Sequence, residues 1–160
     1  EAAEQIAPLL ADPTRRTPGL LAIAGELELG ANRPERALPH LRQARGASII
    51  NFSSISYLLN MGELPAYTAA KAGIVGLTKS LAGRLGREDV RVNAVLPGMI
   101  VTERQKQLWL TDDSISQTVA RQCLKRALTA EDLVGPCLFL ASSASAAMTA
   151  QTIIIDGGLL

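Results

Sequence analysis

Apolar positions recur along this chain with two different periods, and the change between them divides it. Over residues 2–11, 18–29 and from Pro34 through Ala37, Leu38, Leu41 and Ala44, apolar residues follow helical spacing. Pro18 suits a first helical turn and Gly30 a helix stop. Pro39 lies inside the third pattern and removes an internal hydrogen bond, which favours a later start for that helix. At Gly46 the texture changes, and residues 47–54 form a short β-rich run bounded by glycine before and polar residues after, as a buried parallel strand would be. A helix lined with Ala and Gly is expected over about 66–85, and a second strand over 90–96, stopped by Pro97 and Gly98. Helices are expected over 103–110 and 114–124, with N-cap residues between them at Thr111, Asp112, Asp113 and Ser114. Another starts at Thr129-Ala130-Glu131-Asp132, with Pro136 near its first turn, and runs to a Ser/Ala-rich stretch at 141–147. Residues 152–155 give a third strand, ended by Asp156-Gly157-Gly158.

Strands joined through helices in this order form the βαβ alternation of a parallel sheet, so the fold class is α/β. The predicted architecture is the C-terminal half of a Rossmann-like parallel sheet, about three strands with flanking helices, preceded by a helical N-terminal segment. We divide the chain into a helical segment, 1–45, and a truncated Rossmann-like region, 46–160. Gly25, Ala37, Leu41 and Ala44 also resemble one tetratricopeptide repeat, although a single repeat cannot bury its own face.

Bulk numbers narrow the classes further. The 160 residues fit one domain, and 48% hydrophobic with 19% charged residues describes a globular chain. A net charge of +1 without a basic block argues against nucleic-acid and membrane-surface partners. His40 is the only histidine, and Cys123 and Cys137 lack metal-ligand spacing, so no metal is expected. Two reduced cysteines and no leader-like opening point to a cytoplasmic protein, and apolar runs are broken well short of a membrane span. The chain opens on Glu1 rather than Met, as a fragment or trimmed chain would.

Within the predicted helix over 66–85, Tyr67 and Lys71 stand four residues apart and share one face. A cation near a phenol favours the phenolate, which suits acid/base work near neutral pH. Ser54 falls at the carboxyl end of the first strand, where open α/β sheets bind ligands.

Ser54, Tyr67 and Lys71, together with Asn51-Phe52-Ser53-Ser54, Lys71-Ala72-Gly73, Arg91-Val92-Asn93-Ala94, Pro97-Gly98 followed by Thr102, and Asp156-Gly157-Gly158, resemble the short-chain dehydrogenase/reductase family over about 37–160. The resemblance implies hydride transfer between NAD or NADP and an alcohol or sugar. Tyr67 would exchange the proton, Lys71 would support it and hold the nicotinamide ribose, and Ser54 would orient the substrate oxygen. Pro97, Gly98, Ile100 and Thr102 match the segment lining the nicotinamide. The stretch 101–109, with Arg121-Gln122-Cys123-Leu124, looks like the substrate loop of members that oxidise aldoses at C1, which makes Gln105 and Trp109 candidate substrate residues alongside Ser54. Family members are commonly dimers or tetramers through the Tyr67 helix, so a homo-oligomer is expected.

The chain departs from the family in its first part. Residues 1–36 carry glycines only at 19, 25 and 30, so the phosphate-holding Gly-rich turn has no counterpart. The resemblance puts the fourth catalytic residue, an Asn, near Glu26 or Leu27; neither is Asn, and Asn32 lies too near Ser54. The first four strands are absent from the pattern, which leaves the edge of the first remaining strand unpaired. The competing reading is a non-enzymatic module whose helices over 1–45 form a partner-binding surface.

Overall fold

The structure is a computed structural model and describes residues 34–43 and 46–160. The helices expected over 2–11 and 18–29, and Gly25 and Ala44 of the repeat-like pattern, lie outside the described residues. In chain order the elements are α1 (Pro34–Gln43), β1 (Ser48–Phe52), α2 (Pro65–Leu85), β2 (Arg91–Pro97), α3 (Glu103–Leu108), α4 (Asp112–Arg121), α5 (Glu131–Ala141) and β3 (Thr152–Ile155).

The strands form one parallel sheet in the order β1-β2-β3, with Ile49 opposite Val92 and Val95 opposite Ile153. This confirms the α/β class and the three-strand Rossmann-like arrangement. In β2 every residue from Arg91 to Leu96 is buried, as a central strand covered on both faces requires. One apolar cluster joins Leu41 of α1 with Ala82, Leu85, Val90 and Val92, and another joins Ile55, Ala94 and Leu96.

Two polar residues occupy β2, and each is satisfied. The Arg91 guanidinium donates to the carbonyls of Leu140 (2.9 Å) and Ser142 (3.1 Å) and to Ser145 Oγ (2.8 Å), so a cation neutralises the carbonyl end of α5. Asn93 donates to the Met148 carbonyl (2.9 Å) and accepts from the Gln151 amide (3.0 Å), which ties β2 to the approach to β3.

Several boundaries differ from expectation for local reasons. Helix α1 starts at Pro34 and keeps Pro39 inside it, because a proline there removes one internal bond while burial of Leu41 holds the helix down. Helix α4 begins at Asp112 because Thr111, rather than a later residue, closes a capping box with Ser114. Pro97 is the last residue of β2 rather than its stop, and the ladder continues through the Gly98 amide to the Ile155 carbonyl at 2.9 Å. Pro136 lies in the second turn of α5. Among the described residues, β1 has a neighbouring strand on one side only, and its other side opens on a groove lined by the strand itself, Leu41 and Cys137.

Candidate active site

Ser54 lies just beyond the carboxyl end of β1, in extended backbone, and caps the short helical turn Ile55–Leu58 by accepting from the Ser56 amide at 3.1 Å. Accepting through Oγ leaves the hydroxyl proton to be donated elsewhere. The chain then enters α2 through Pro65, whose missing N–H costs nothing in a first turn. Tyr67 and Lys71 follow one turn apart. The Lys71 ammonium sits over the Tyr67 ring, 5.6 Å from its centroid, and donates to the Phe52 carbonyl at 3.2 Å. Tyr67 is 45% exposed, so its hydroxyl-bearing ring is open to a ligand.

A second wall comes from the carboxyl end of β2. Pro97 and Gly98 are half-buried there, and Ile100 is buried in a parallel bridge with Leu128. Thr102 caps α3, its Oγ1 accepting from the Gln105 amide at 3.3 Å. Gln105 is half-buried, and its Oε1 is buried without a donor among the described residues. Trp109 is 63% exposed just past α3. Because β1 and β2 are parallel, their carboxyl ends point the same way. The structure therefore brings Ser54, Tyr67 and Lys71 together around one strand end and sets Pro97, Gly98, Ile100 and Thr102 at the next, with Gln105 and Trp109 further out on and beside α3.

Two features of this region escape sequence reasoning. Ser53 is buried and donates from Oγ to the Lys71 carbonyl at 2.7 Å, while Asn51 donates to Thr78 Oγ1 at 3.0 Å. The other is a cleft of about 400 Å³ lined by Leu58, Leu59, Asn60, Met61 and Arg121, between the turn following Ser54 and the end of α4. Its two sides are far apart in sequence, so no local signal announces it. Among the described residues no group of three His, Cys, Asp or Glu is placed to hold a metal ion, and no helix is long and apolar enough to cross a membrane.

Comparison with known proteins places this geometry in context. A family model described as "Enoyl-(Acyl carrier protein) reductase" matches residues 33–160. A Rhizobium meliloti protein described as "Probable galactose dehydrogenase" is 69% identical over 121 residues, which covers 76% of this chain and 47% of the relative. The D-xylose 1-dehydrogenase of Caulobacter vibrioides is 42% identical over 120 residues, covering 75% of this chain and 48% of the relative. Among solved structures, a short chain dehydrogenase from Leptospira borgpetersenii with bound NAD+ is similar with a TM-score of 0.67 and 30% identity, over 78% of this chain and 49% of that one. The chain thus spans about half the length of the curated relatives it matches.

Proposed function

This chain belongs to the short-chain dehydrogenase/reductase family, and from that premise we propose that residues 46–160, with α1 packed on them through Leu41, carry the catalytic centre of an oxidoreductase. Hydride would pass between NAD or NADP and a sugar hydroxyl or carbonyl. The observation that carries this reading is the gathering of Ser54, Tyr67 and Lys71 around the carboxyl end of β1. Each side chain fits a distinct task. Tyr67, solvent-open, holds or releases the proton of the reacting oxygen. Ser54 donates its free hydroxyl proton to that oxygen and orients it. Lys71 places a positive charge against the Tyr67 ring and offers N–H donors to ribose hydroxyls.

The end of β2 suits the nicotinamide. Pro97, Gly98, Ile100 and Thr102 present backbone and a small hydroxyl at the carboxyl end of β2, the strand next to β1, and the cofactor when bound supplies or accepts the hydride. The cleft between Met61 and Arg121 leaves room for the remainder of a polyhydroxylated substrate, with apolar Leu58 and Met61 against a ring and Asn60 and Arg121 toward its hydroxyls. Gln105 and Trp109 serve as further substrate contacts on α3. The relatives named for galactose and xylose favour an aldose. Self-association through α2 fits its outer face, where Gly73, Gly76 and Gly83 leave open space beside the exposed Leu77. Two free cysteines suit a reducing cytoplasm.

The test is to titrate NADH and NADPH into the purified chain and to assay oxidation of D-galactose and D-xylose. Saturable binding is expected, with kcat falling about 10²- to 10⁴-fold in Tyr67→Phe. Equal turnover in Tyr67→Phe, or no cofactor binding by the folded chain, would sink the reading.

A further inference from the structure

We propose that Ser53, which precedes Ser54 and is hydrogen-bonded to Lys71, is a positioning residue that sets where Lys71 and Tyr67 stand. The inference rests on the proposed function for its kinetic consequence and on geometry alone for its structural one. Ser53 is 5% exposed, and its hydroxyl donates to the backbone carbonyl of Lys71 at 2.7 Å, across eighteen residues. One residue earlier, the Phe52 carbonyl accepts from the Lys71 ammonium at 3.2 Å. Consecutive residues of the β1 end thus grip Lys71 twice, at its backbone and at its charged tip.

The helix bearing Lys71 makes such a grip necessary. Helix α2 has Ala69, Ala70, Ala72 and Gly73 around the lysine, all exposed. Few large side chains there fix its rotation and its shift along the sheet. Further along, Asn51 donates to Thr78 Oγ1, which donates in turn to the Ile74 carbonyl at 2.8 Å. Helix α2 is therefore pinned to β1 at two levels one to two turns apart, by Ser53 near the reacting end and by Asn51 further in. Both bonds are short and involve partly or fully buried side chains, where a lost hydrogen bond leaves a carbonyl or hydroxyl less satisfied. Tyr67 lies one turn before Lys71 on the same helix, so a shift released at Lys71 is carried to the phenol. Displacing a reacting group by about 1 Å can cost on the order of a hundredfold in rate.

The experiment compares Ser53→Ala, Ser53→Thr and Ser53→Cys with the wild-type chain by two readouts. The first is steady-state kinetics. Here kcat is expected to rank wild type and Thr above Cys, and Cys above Ala, with Ala down about tenfold to a hundredfold and the sugar KM little changed. The second needs no turnover: the acetylation rate of Lys71, followed by peptide mass spectrometry, should rise several-fold in Ala and stay near wild type in Thr, while Lys79, Lys106 and Lys125 keep their rates. Should Ser53→Ala fail to fold, the Thr and Cys variants carry the ranking. Unchanged Lys71 labelling across the series overturns the positioning role, whatever happens to turnover. Changed labelling in a chain without turnover upholds the clamp and instead removes the catalytic reading. A uniform loss in melting temperature and kcat, with no rescue by Thr, reduces Ser53 to an ordinary structural contact.

Discussion

An alanine Cβ built at Gly98 would stand 2.8 Å from the Cα and Cβ of Asp156, closer than carbon atoms approach without displacement. The reason lies in the turn that Asp156 makes. Its carboxylate accepts from the amides of Gly158 (2.8 Å) and Leu160 (3.0 Å), and Gly157 and Gly158 occupy left-handed backbone at φ 69° and 76°. The motifs at Pro97-Gly98 and at Asp156-Gly157-Gly158 are thus one contact, legible in sequence only as two separate turns. Gly98→Ala is expected to destabilise the fold by about 1–3 kcal/mol through overpacking, measured as a lower denaturation midpoint in urea. Gly135→Ala is the contrast. It sits in α5 with open space around it, and losing glycine's backbone freedom there should stabilise by about 0.5–1 kcal/mol.

Elements here are held by their ends. Helix α4 closes its first turn with the Thr111–Ser114 capping box, which the sequence showed only as four N-cap residues without choosing among them. The start of α5 works differently, because Ala130 supplies no side-chain cap. Instead Asp132 reaches back to accept from the Thr129 amide at 2.8 Å and pairs with the Arg126 guanidinium at 2.6 and 2.8 Å. These bonds, chiefly the Arg126 one, pull the Asp132 carboxyl from its ordinary 3.8 to about 2. A depressed folded-state value means that the ionised carboxylate stabilises the fold above the ordinary value, and that this contribution fades as pH falls from about 4 toward 2. Wild type and Asp132→Asn should therefore differ in melting temperature by a constant amount above pH 4 and converge below it. A difference that persists unchanged down to pH 2 would dismiss the ion pair as its source.

At the scale of the whole molecule the dominant fact is a sheet of three parallel strands with β2 buried from Arg91 to Leu96 and β1 open on one side among the described residues. The unpaired amides and carbonyls of such an edge are a template for another strand. Phe52, at its end, is 46% exposed, and Leu77 on α2 is 52% exposed. These two surfaces should behave differently in solution. Phe52→Lys is expected to suppress open-ended, concentration-dependent aggregation, whereas Leu77→Lys should dissolve a discrete oligomer, both followed by sedimentation velocity. Identical sedimentation of wild type and both variants at every concentration would remove either surface as an association site.

Among the described residues, the order of elements, the parallel α/β class, the span of β3 and the small-residue helix carrying Tyr67 and Lys71 were all determined by sequence, because period, glycine, proline and cap residues act within a few positions of where they stand. Ser54, Tyr67 and Lys71 were singled out by family resemblance, with only the one-turn spacing of Tyr67 and Lys71 readable from the local pattern. Tertiary structure alone decided that Ser53 and Phe52 hold Lys71 from two sides, that Arg91 closes the carbonyl end of α5, that Gly98 seats against Asp156, and that Arg121 faces the turn after Ser54. Each of these joins residues eighteen to sixty or so positions apart. Nothing in a side chain's local pattern specifies its distant partner; packing the helices onto the sheet does.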